Sequence, residues 1–227
     1  MKLIFGKKMG YRGRIISILF ISAILLFIRE MVKKHFGQVP HPVPIPAIIV
    51  LVIAWYLGKQ YDKYVYLSTR DSLTGLYNRR YVTDNFPKLS RYANRRKLNI
   101  CTLLVDVNDF KEINDHYGHD AGDVVLVNIS KILCDSFGQR SIIARWGGDE
   151  FLVLVFVSDV NVIIDEINDF NSKIKNEDWK HKSIGTLSVS VGKATYPTDA
   201  TSLKELVAKA DNSMYEYKIK HKMQKLL

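Results

Sequence analysis

The sequence predicts an α/β (α+β) domain with a central, mostly antiparallel sheet flanked by helices, preceded by a two-helix transmembrane hairpin. Three observations carry this reading. Two uncharged apolar runs, Ile15–Ile28 and Ile45–Leu57, fall in the first quarter of the 227 residues. From Asp71 onward, apolar runs of strand length alternate with segments of helical period. The charge is also divided: of the 33 Lys/Arg and 23 Asp/Glu, residues 1–70 hold 11 and 2. Almost all of the net +10 therefore lies beside the apolar runs.

The first element expected is a membrane anchor over 1–58, with helices at about 15–30 and 43–57. Each apolar run is shorter than the roughly 20 residues of an untilted span. A cleaved signal peptide and interfacial helices therefore compete with the hairpin. Arg29-Glu30 follow the first run without a small-x-small cleavage site, and a second run comes next, which favours the hairpin. Pro40, Pro42, Pro44 and Pro46 lie between the runs and predict an extended turn rather than a helix. Lys2, Lys7, Lys8, Arg12 and Arg14 precede the first run, against Arg29, Lys33 and Lys34 after it. That bias predicts a cytoplasmic N-terminus and, with two spans, a cytoplasmic C-terminal domain on a multi-pass membrane protein. Membrane lipids are thus an expected partner. Basic flanks of this kind suit an anionic leaflet, and the near-neutral remainder argues against a nucleic-acid partner.

A linker or stalk helix is expected over 59–70. Leu57, Tyr61, Tyr64 and Leu67 recur at helical spacing. The stripe fits either a helix packed on its own domain or a short dimer-forming stalk. The domain proper is expected over 71–227. Ser72–Leu89 reads as a helix, Ile100–Val105 as a buried strand and Gly122–Phe137 as a helix. Ile142–Ala144 and Phe151–Val157 read as a hairpin, Val160–Lys175 as a helix, Thr186–Ala194 as a strand and Ser202–Lys222 as a closing helix. Cys101 and Cys134 show neither CxxC nor Cys/His ligand spacing and read as small buried hydrophobes.

Two stretches carry chemistry. Leu103-Leu104-Val105-Asp106 is an apolar strand ending in a carboxylate, a place suited to a hard cation. An Asp at a strand end is equally a common turn signal. Gly147-Gly148 stand between apolar segments and are followed by Asp149-Glu150. Two glycines permit the positive φ of a tight hairpin and close approach of a triphosphate, although a plain surface hairpin fits the bare pattern too. Taken together, acids on adjacent strands could hold one or two magnesium ions against a nucleoside triphosphate.

These residues resemble a GGDEF-domain diguanylate cyclase. Asp71-Ser72-Leu73-Thr74-Gly75-Leu76-Tyr77-Asn78-Arg79-Arg80 is similar to the family's opening block, DxLTGLxNRR. Phe110-Lys111, Asn114-Asp115, Gly118-His119 and Gly122-Asp123 match FKxxNDxxGHxxGD, and residues 147–151 read GGDEF. Ser188-Val189-Ser190-Val191-Gly192, Pro197 and Ala210-Asp211-x-x-Met214-Tyr215-x-x-Lys218 resemble the later blocks. The resemblance implies a palm-like nucleotidyl cyclase fold. It implies condensation of two GTP into cyclic di-GMP and two pyrophosphates, with Mg²⁺ or Mn²⁺ as cofactor and a homodimer as the catalytic unit. Asp106 through its carboxylate and Val107 through its carbonyl would bind the metal, joined by Asp149. Glu150 would serve the second metal or the catalytic configuration. Asp149 is the family's usual base for the 3′-hydroxyl, a role with which metal ligation competes. Asn114 and Asp123 would read guanine, whose N1–H and exocyclic amine suit a carboxylate. His119 would sit near the nucleotide or be structural. Gly147 and Gly148 would admit the triphosphate, and Lys111, Lys218 and Lys222 would hold its phosphates.

Several positions depart from the family pattern. Asn108 stands where a second Asp is usual. Lys222 keeps the charge of the usual Arg but not its bidentate fork. The inhibitory RxxD falls on Gly138-Gln139-Arg140-Ser141 and lacks both ends, so product inhibition through that site is not expected. Trp146 replaces the usual Tyr, and Arg145 reads equally as a partner for an acid such as Asp71 or as an exposed arginine. The alternative function is a catalytically silent domain that binds GTP or cyclic di-GMP as a receptor.

Overall fold

The computed structural model describes residues 11–37, 45–179 and 187–225. Lys2, Lys7, Lys8, Pro40, Pro42 and Pro44 lie outside these, as does the expected strand start at Thr186. The chain forms two compact units, one ending at Thr69 and the other running from Arg70.

The first unit is a pair of packed helices, α1 (Arg12–Phe36) and α2 (Ile45–Thr69). Gly37 ends α1 in the left-handed region at φ 69° and donates its N–H to the Lys33 carbonyl, the usual glycine stop. The start of α1 meets the later part of α2, so the two run antiparallel. Their seam uses small residues. A Cβ at Gly58 would lie 2.6 Å from the Arg14 Cα, and one at Gly13 would lie 2.8 Å from the Gly58 carbonyl. Asp62 closes the seam: Oδ1 accepts from the Gly13 N–H at 2.7 Å and Oδ2 from the Arg14 Nε at 3.1 Å. Asp62 thereby caps the N-terminus of α1 from the neighbouring helix, satisfying backbone donors that a helix cannot satisfy itself. By length and composition alone, Arg12–His35 is apolar enough to cross a membrane; no second such helix is found among the described residues.

One expectation is corrected here. Pro46 is not in an extended turn but in the first turn of α2, where a missing N–H costs nothing. The second apolar run and the helix expected at the stalk form one uninterrupted 25-residue helix.

The second unit is built on a five-stranded sheet in the order β1-β3-β4-β2-β5. The strands are β1 (Tyr77–Asn78), β2 (Asn99–Val107), β3 (Ser141–Arg145), β4 (Glu150–Val157) and β5 (Val189–Tyr196). Only β1 pairs in parallel, with β3; the other neighbours are antiparallel. The mostly antiparallel sheet read from the sequence is therefore present. Central strand β2 is buried along nearly its whole length, which explains its unbroken apolar run. One face packs Val125, Leu126, Ile129 and Leu133 of α5 (His119–Phe137) and Ile163 and Phe170 of α6 (Val162–Asn176). The other packs Val82, Phe86, Leu89 and Ala93 of α3 (Arg79–Arg96) and Leu206, Ala210 and Met214 of α7 (Leu203–Lys225).

The helix expected from Ser72 begins instead at Arg79. Asp71 accepts from the Thr74 N–H at 2.9 Å and the Thr74 hydroxyl at 2.7 Å, and this turn keeps 71–76 out of a helix. Asn78 then caps α3 by accepting from the Tyr81 N–H at 2.9 Å. A short helix, α4 (Phe110–Tyr117), was not anticipated. Cys101 is fully buried, as expected, and burial pushes its thiol above the usual value against a weaker pull from Thr195. Cys134 is only partly buried.

Candidate active site

The register of the sheet gathers the acids. Asp106, the next-to-last residue of β2, is directly opposite Glu150 of β4 and Ser190 of β5. Residues opposed across a sheet share a face. The row Glu150–Asp106–Ser190 thus lies on the face covered by α3 and α7, one step beyond the row Leu152–Leu104–Gly192. The Val107 N–H donates to the Asp149 carbonyl at 3.3 Å, extending the pairing to the acid before Glu150. Among the described residues, no three His, Cys, Asp or Glu side chains cluster as a metal group. The row and its neighbour Asp149 offer only oxygen donors, carboxylates and backbone carbonyls, the donor chemistry a hard divalent cation takes.

The hairpin tip differs from the expected one. Neither Gly147 nor Gly148 has a left-handed φ. What the first position requires is the absence of a Cβ, because one would stand 2.7 Å from the Glu150 Oε2. Gly148 has open space around it, with nothing within 4 Å of its missing Cβ. The turn is closed by the Trp146 N–H donating to the Glu150 carbonyl at 2.8 Å. Arg145 clamps the tip: Nε and a terminal nitrogen donate to the Gly148 carbonyl at 3.0 and 2.7 Å. Its other terminal nitrogen reaches both Asp71 oxygens at 3.3 Å. The Arg145–Asp71 pairing expected from sequence is therefore formed, with both side chains about one-fifth exposed. Burial raises the Asp71 carboxyl, but bonds from Thr74 and the Arg145 charge outweigh it and hold it below the usual aspartate value. Arg79 lies over the Trp146 ring, 4.7 Å from its centroid, so the aromatic before the glycines is stacked by a cation.

The residues expected to read guanine sit beyond the end of β2. Asp109 turns the chain at φ 56° into α4, which carries Lys111 and Asn114. Gly118, at φ 83°, separates α4 from α5, whose first turns carry His119, Gly122 and Asp123. The Asn114 side chain occupies the space a Cβ on Gly122 would need, so Gly122 is what lets α4 and α5 close on each other. Asn114, half-buried, and Asp123, exposed, are thereby neighbours; His119 and Lys111 are both exposed.

Lys218 and Lys222 lie on α7, past the last described side chain, Tyr215. Met214 packs on Gly192 of β5. Arg140, within the departed inhibitory motif, is ion-paired with Glu166 of α6. Sequence reasoning missed the roles of Ser188 and Ser190, which bracket Asn108: the Asn108 amide donates to Ser188 Oγ at 2.9 Å, and Ser190 Oγ donates to Asn108 Oδ1 at 2.7 Å. Two serines alternating with Leu187, Val189 and Val191 were the available sign.

Comparison with known proteins identifies the family of the domain. A family model described as diguanylate cyclase, GGDEF domain, matches residues 68–224. Diguanylate cyclase TpbB of Pseudomonas aeruginosa is 37% identical over 150 residues, covering 64% of this chain and 34% of TpbB. Diguanylate cyclase DosC of Escherichia coli K12 is 31% identical over 147 residues, 64% of this chain and 32% of DosC. The chain thus spans about a third of the length of these relatives. A structure of an N-terminally truncated TpbB from Pseudomonas aeruginosa comprising only its GGDEF domain superposes with a TM-score of 0.62 at 33% identity, covering 66% of this chain and 89% of that one. The coiled coil and GGDEF domain of DgcB from Caulobacter crescentus, crystallised with c-di-GMP, gives 0.68 at 23% identity and covers 74% and 89%, a likeness of fold.

Proposed function

The chain belongs to the diguanylate cyclase GGDEF-domain family, and from that membership we propose that residues 71–227 condense two GTP into cyclic di-GMP. The observation that carries the reading is the Glu150–Asp106 register, with Asp149 at the adjoining hairpin tip. Each 3′-oxygen bonds to the α-phosphorus of the other GTP, the bond from that phosphorus to the bridging oxygen breaks, and pyrophosphate leaves. Asp149 accepts the hydroxyl proton. Asp106, the Val107 carbonyl, Asp149 and Glu150 would hold Mg²⁺ or Mn²⁺, which when bound neutralises phosphate charge and polarises the α-phosphate. Asn114 and Asp123 orient guanine; Gly147 and Gly148 give the phosphates access; Lys111, Lys218 and Lys222 balance their charge, and His119 lies beside the nucleotide.

Because two molecules of substrate form a two-fold symmetric product, the catalytic unit is a homodimer. The stripe Leu57, Tyr61, Tyr64 and Leu67 supports a dimer-forming stalk, since all four are more than half exposed. The helical pair is proposed as a multi-pass anchor in the bacterial inner membrane, with the enzyme domain in the cytoplasm. Ile15, Leu19, Phe20, Leu26 and Phe27 of α1 and Ile45, Ile48, Ile49, Val52 and Ile53 of α2 are all exposed. Each large apolar side chain left in water forgoes about 1.5–3 kcal/mol. Ten such side chains, each at least half exposed, make a lipid environment the consistent setting.

The test is to incubate the purified chain in detergent with GTP and Mg²⁺ and to measure cyclic di-GMP and pyrophosphate. A two-to-one ratio of pyrophosphate to product is expected, and Asp149→Ala and Glu150→Ala should each abolish product while melting normally. GTP bound without turnover would overturn the cyclase reading in favour of a receptor. Carbonate-resistant membrane association of the chain tests the anchor.

A further inference from the structure

The strand that carries Asp106 ends in a polar clasp that the proposed reaction does not use. Asn108, two residues past Asp106, makes three bonds to β5 and the residue before it. Its N–H donates to the Ser188 carbonyl at 3.0 Å, its side-chain amide donates to Ser188 Oγ at 2.9 Å, and it accepts from Ser190 Oγ at 2.7 Å. Ser190 is buried and is itself the cross-strand partner of Asp106.

The direction of these bonds matters. A trans peptide points its C=O opposite to its N–H. With the Asn108 N–H fixed on β5, the carbonyl of the preceding residue, Val107, is turned toward the β4 side, where Asp149 and Glu150 stand. The Val107 N–H is anchored in turn to the Asp149 carbonyl at 3.3 Å. Both peptides around Val107 are thereby fixed, one from each neighbouring strand. The side-chain bonds of Asn108 also hold this terminal stretch of β2, which would otherwise fray because the ladder stops at Val107.

We propose that Asn108, clasped between Ser188 and Ser190, is a positioning residue that aims the Val107 carbonyl and the Asp106 carboxylate at the divalent cation. It acts through Val107 and Asp106 rather than by touching the cation. An amide achieves this without adding a fourth negative charge beside Asp106, Asp149 and Glu150. The inference rests on the cation site of the proposed cyclase, and its test separates the two.

The measurement is Mn²⁺ binding to the full chain in detergent with GTP, followed by electron paramagnetic resonance, beside the Mg²⁺ dependence of turnover. Asn108→Ala should weaken Mn²⁺ binding and raise half-saturating Mg²⁺ by about 10-fold or more, the usual effect of removing a group that orients a metal ligand. KM for GTP at saturating Mg²⁺ should change little. Asn108→Asp should rescue binding, because both serine hydroxyls can donate to a carboxylate, and its added charge should lower half-saturating Mg²⁺ to the wild-type value or below. Ser190→Ala, a milder change, should weaken Mn²⁺ binding in the same direction, and its effect should vanish in the Asn108→Ala background. Wild-type Mn²⁺ affinity in a folded Asn108→Ala chain, or equal loss in the Ala and Asp variants, overturns the proposal. Should Asn108→Ala not fold, unchanged Mn²⁺ affinity in Ser190→Ala overturns it alone. A wild-type chain that binds Mn²⁺ with GTP in this Asn108-dependent way yet makes no product would sink the cyclase reading and leave the clasp standing.

Discussion

At the scale of single residues, the site depends on two positions whose roles are opposite in kind. Gly147 is needed for what it lacks. Gly147→Ala would place a methyl against the Glu150 carboxylate, the far end of a flexible side chain, which can swing away at small cost to folding. Turnover is therefore expected to fall by about 10-fold or more, since misplacing a reactive group by an ångström can cost up to ~10²-fold. The melting temperature should move little; a normal rate in the folded variant would show that the Glu150 position is immaterial. Asp71 is needed for what it holds, the Arg145 guanidinium that also grips the Gly148 carbonyl. Its folded carboxyl titrates below the ordinary value of about 4. The stabilisation is thus fully present above that ordinary value and is lost as pH falls through the lower, folded one. Asp71→Asn should lower the melting temperature at pH 7, with the gap to wild type closing as the pH is taken well below 4. A gap unchanged with pH would mean that the Asp71 charge contributes nothing.

At the scale of elements, the close approach of α7 to β5 decides where the last helix runs. A Cβ on Gly192 would collide with the Ala210 carbonyl and stand 2.7 Å from the Met214 Cβ. Both sit on the buried side of α7, and a backbone carbonyl cannot rotate away as a side chain can. Gly192→Ala should cost about 1–3 kcal/mol, the usual range for overpacking a core, measured by urea unfolding of the chain in detergent. It should also weaken GTP binding, because α7 carries Lys218 and Lys222, the proposed phosphate-binding lysines. An unchanged midpoint would mean that α7 packs loosely enough to shift. The helices of the first unit follow the same rule by different means: Gly13 and Gly58 allow their backbones to touch, in the manner of small-residue seams between membrane helices.

At the scale of the whole molecule, the proposed reaction joins two GTP, so its rate would depend on how two chains meet. The specific activity of the chain in detergent should rise with its concentration and then level off as dimers fill; a specific activity independent of concentration over a hundredfold range would refute a reversible dimer. Much of the fold was legible beforehand because apolar run length and period are local properties: β2, the hairpin of β3 and β4, and α5 all follow from them. The misread stretch, 72–78, failed for an equally local reason, since side-chain turns at Asp71 and Asn78 outcompete the helix that its neighbours continue. Along the chain alone were written the identity of the acids, the spacing of the glycines and the family they resemble. Only the tertiary structure decided that Asp106 faces Glu150 and Ser190, that Gly147 makes room for a carboxylate rather than a left-handed turn, and that Asn108 fastens β2 to the start of β5. Those outcomes depend on strand register and on contacts between residues as far apart in the chain as Asp106 and Ser190, which no local pattern encodes.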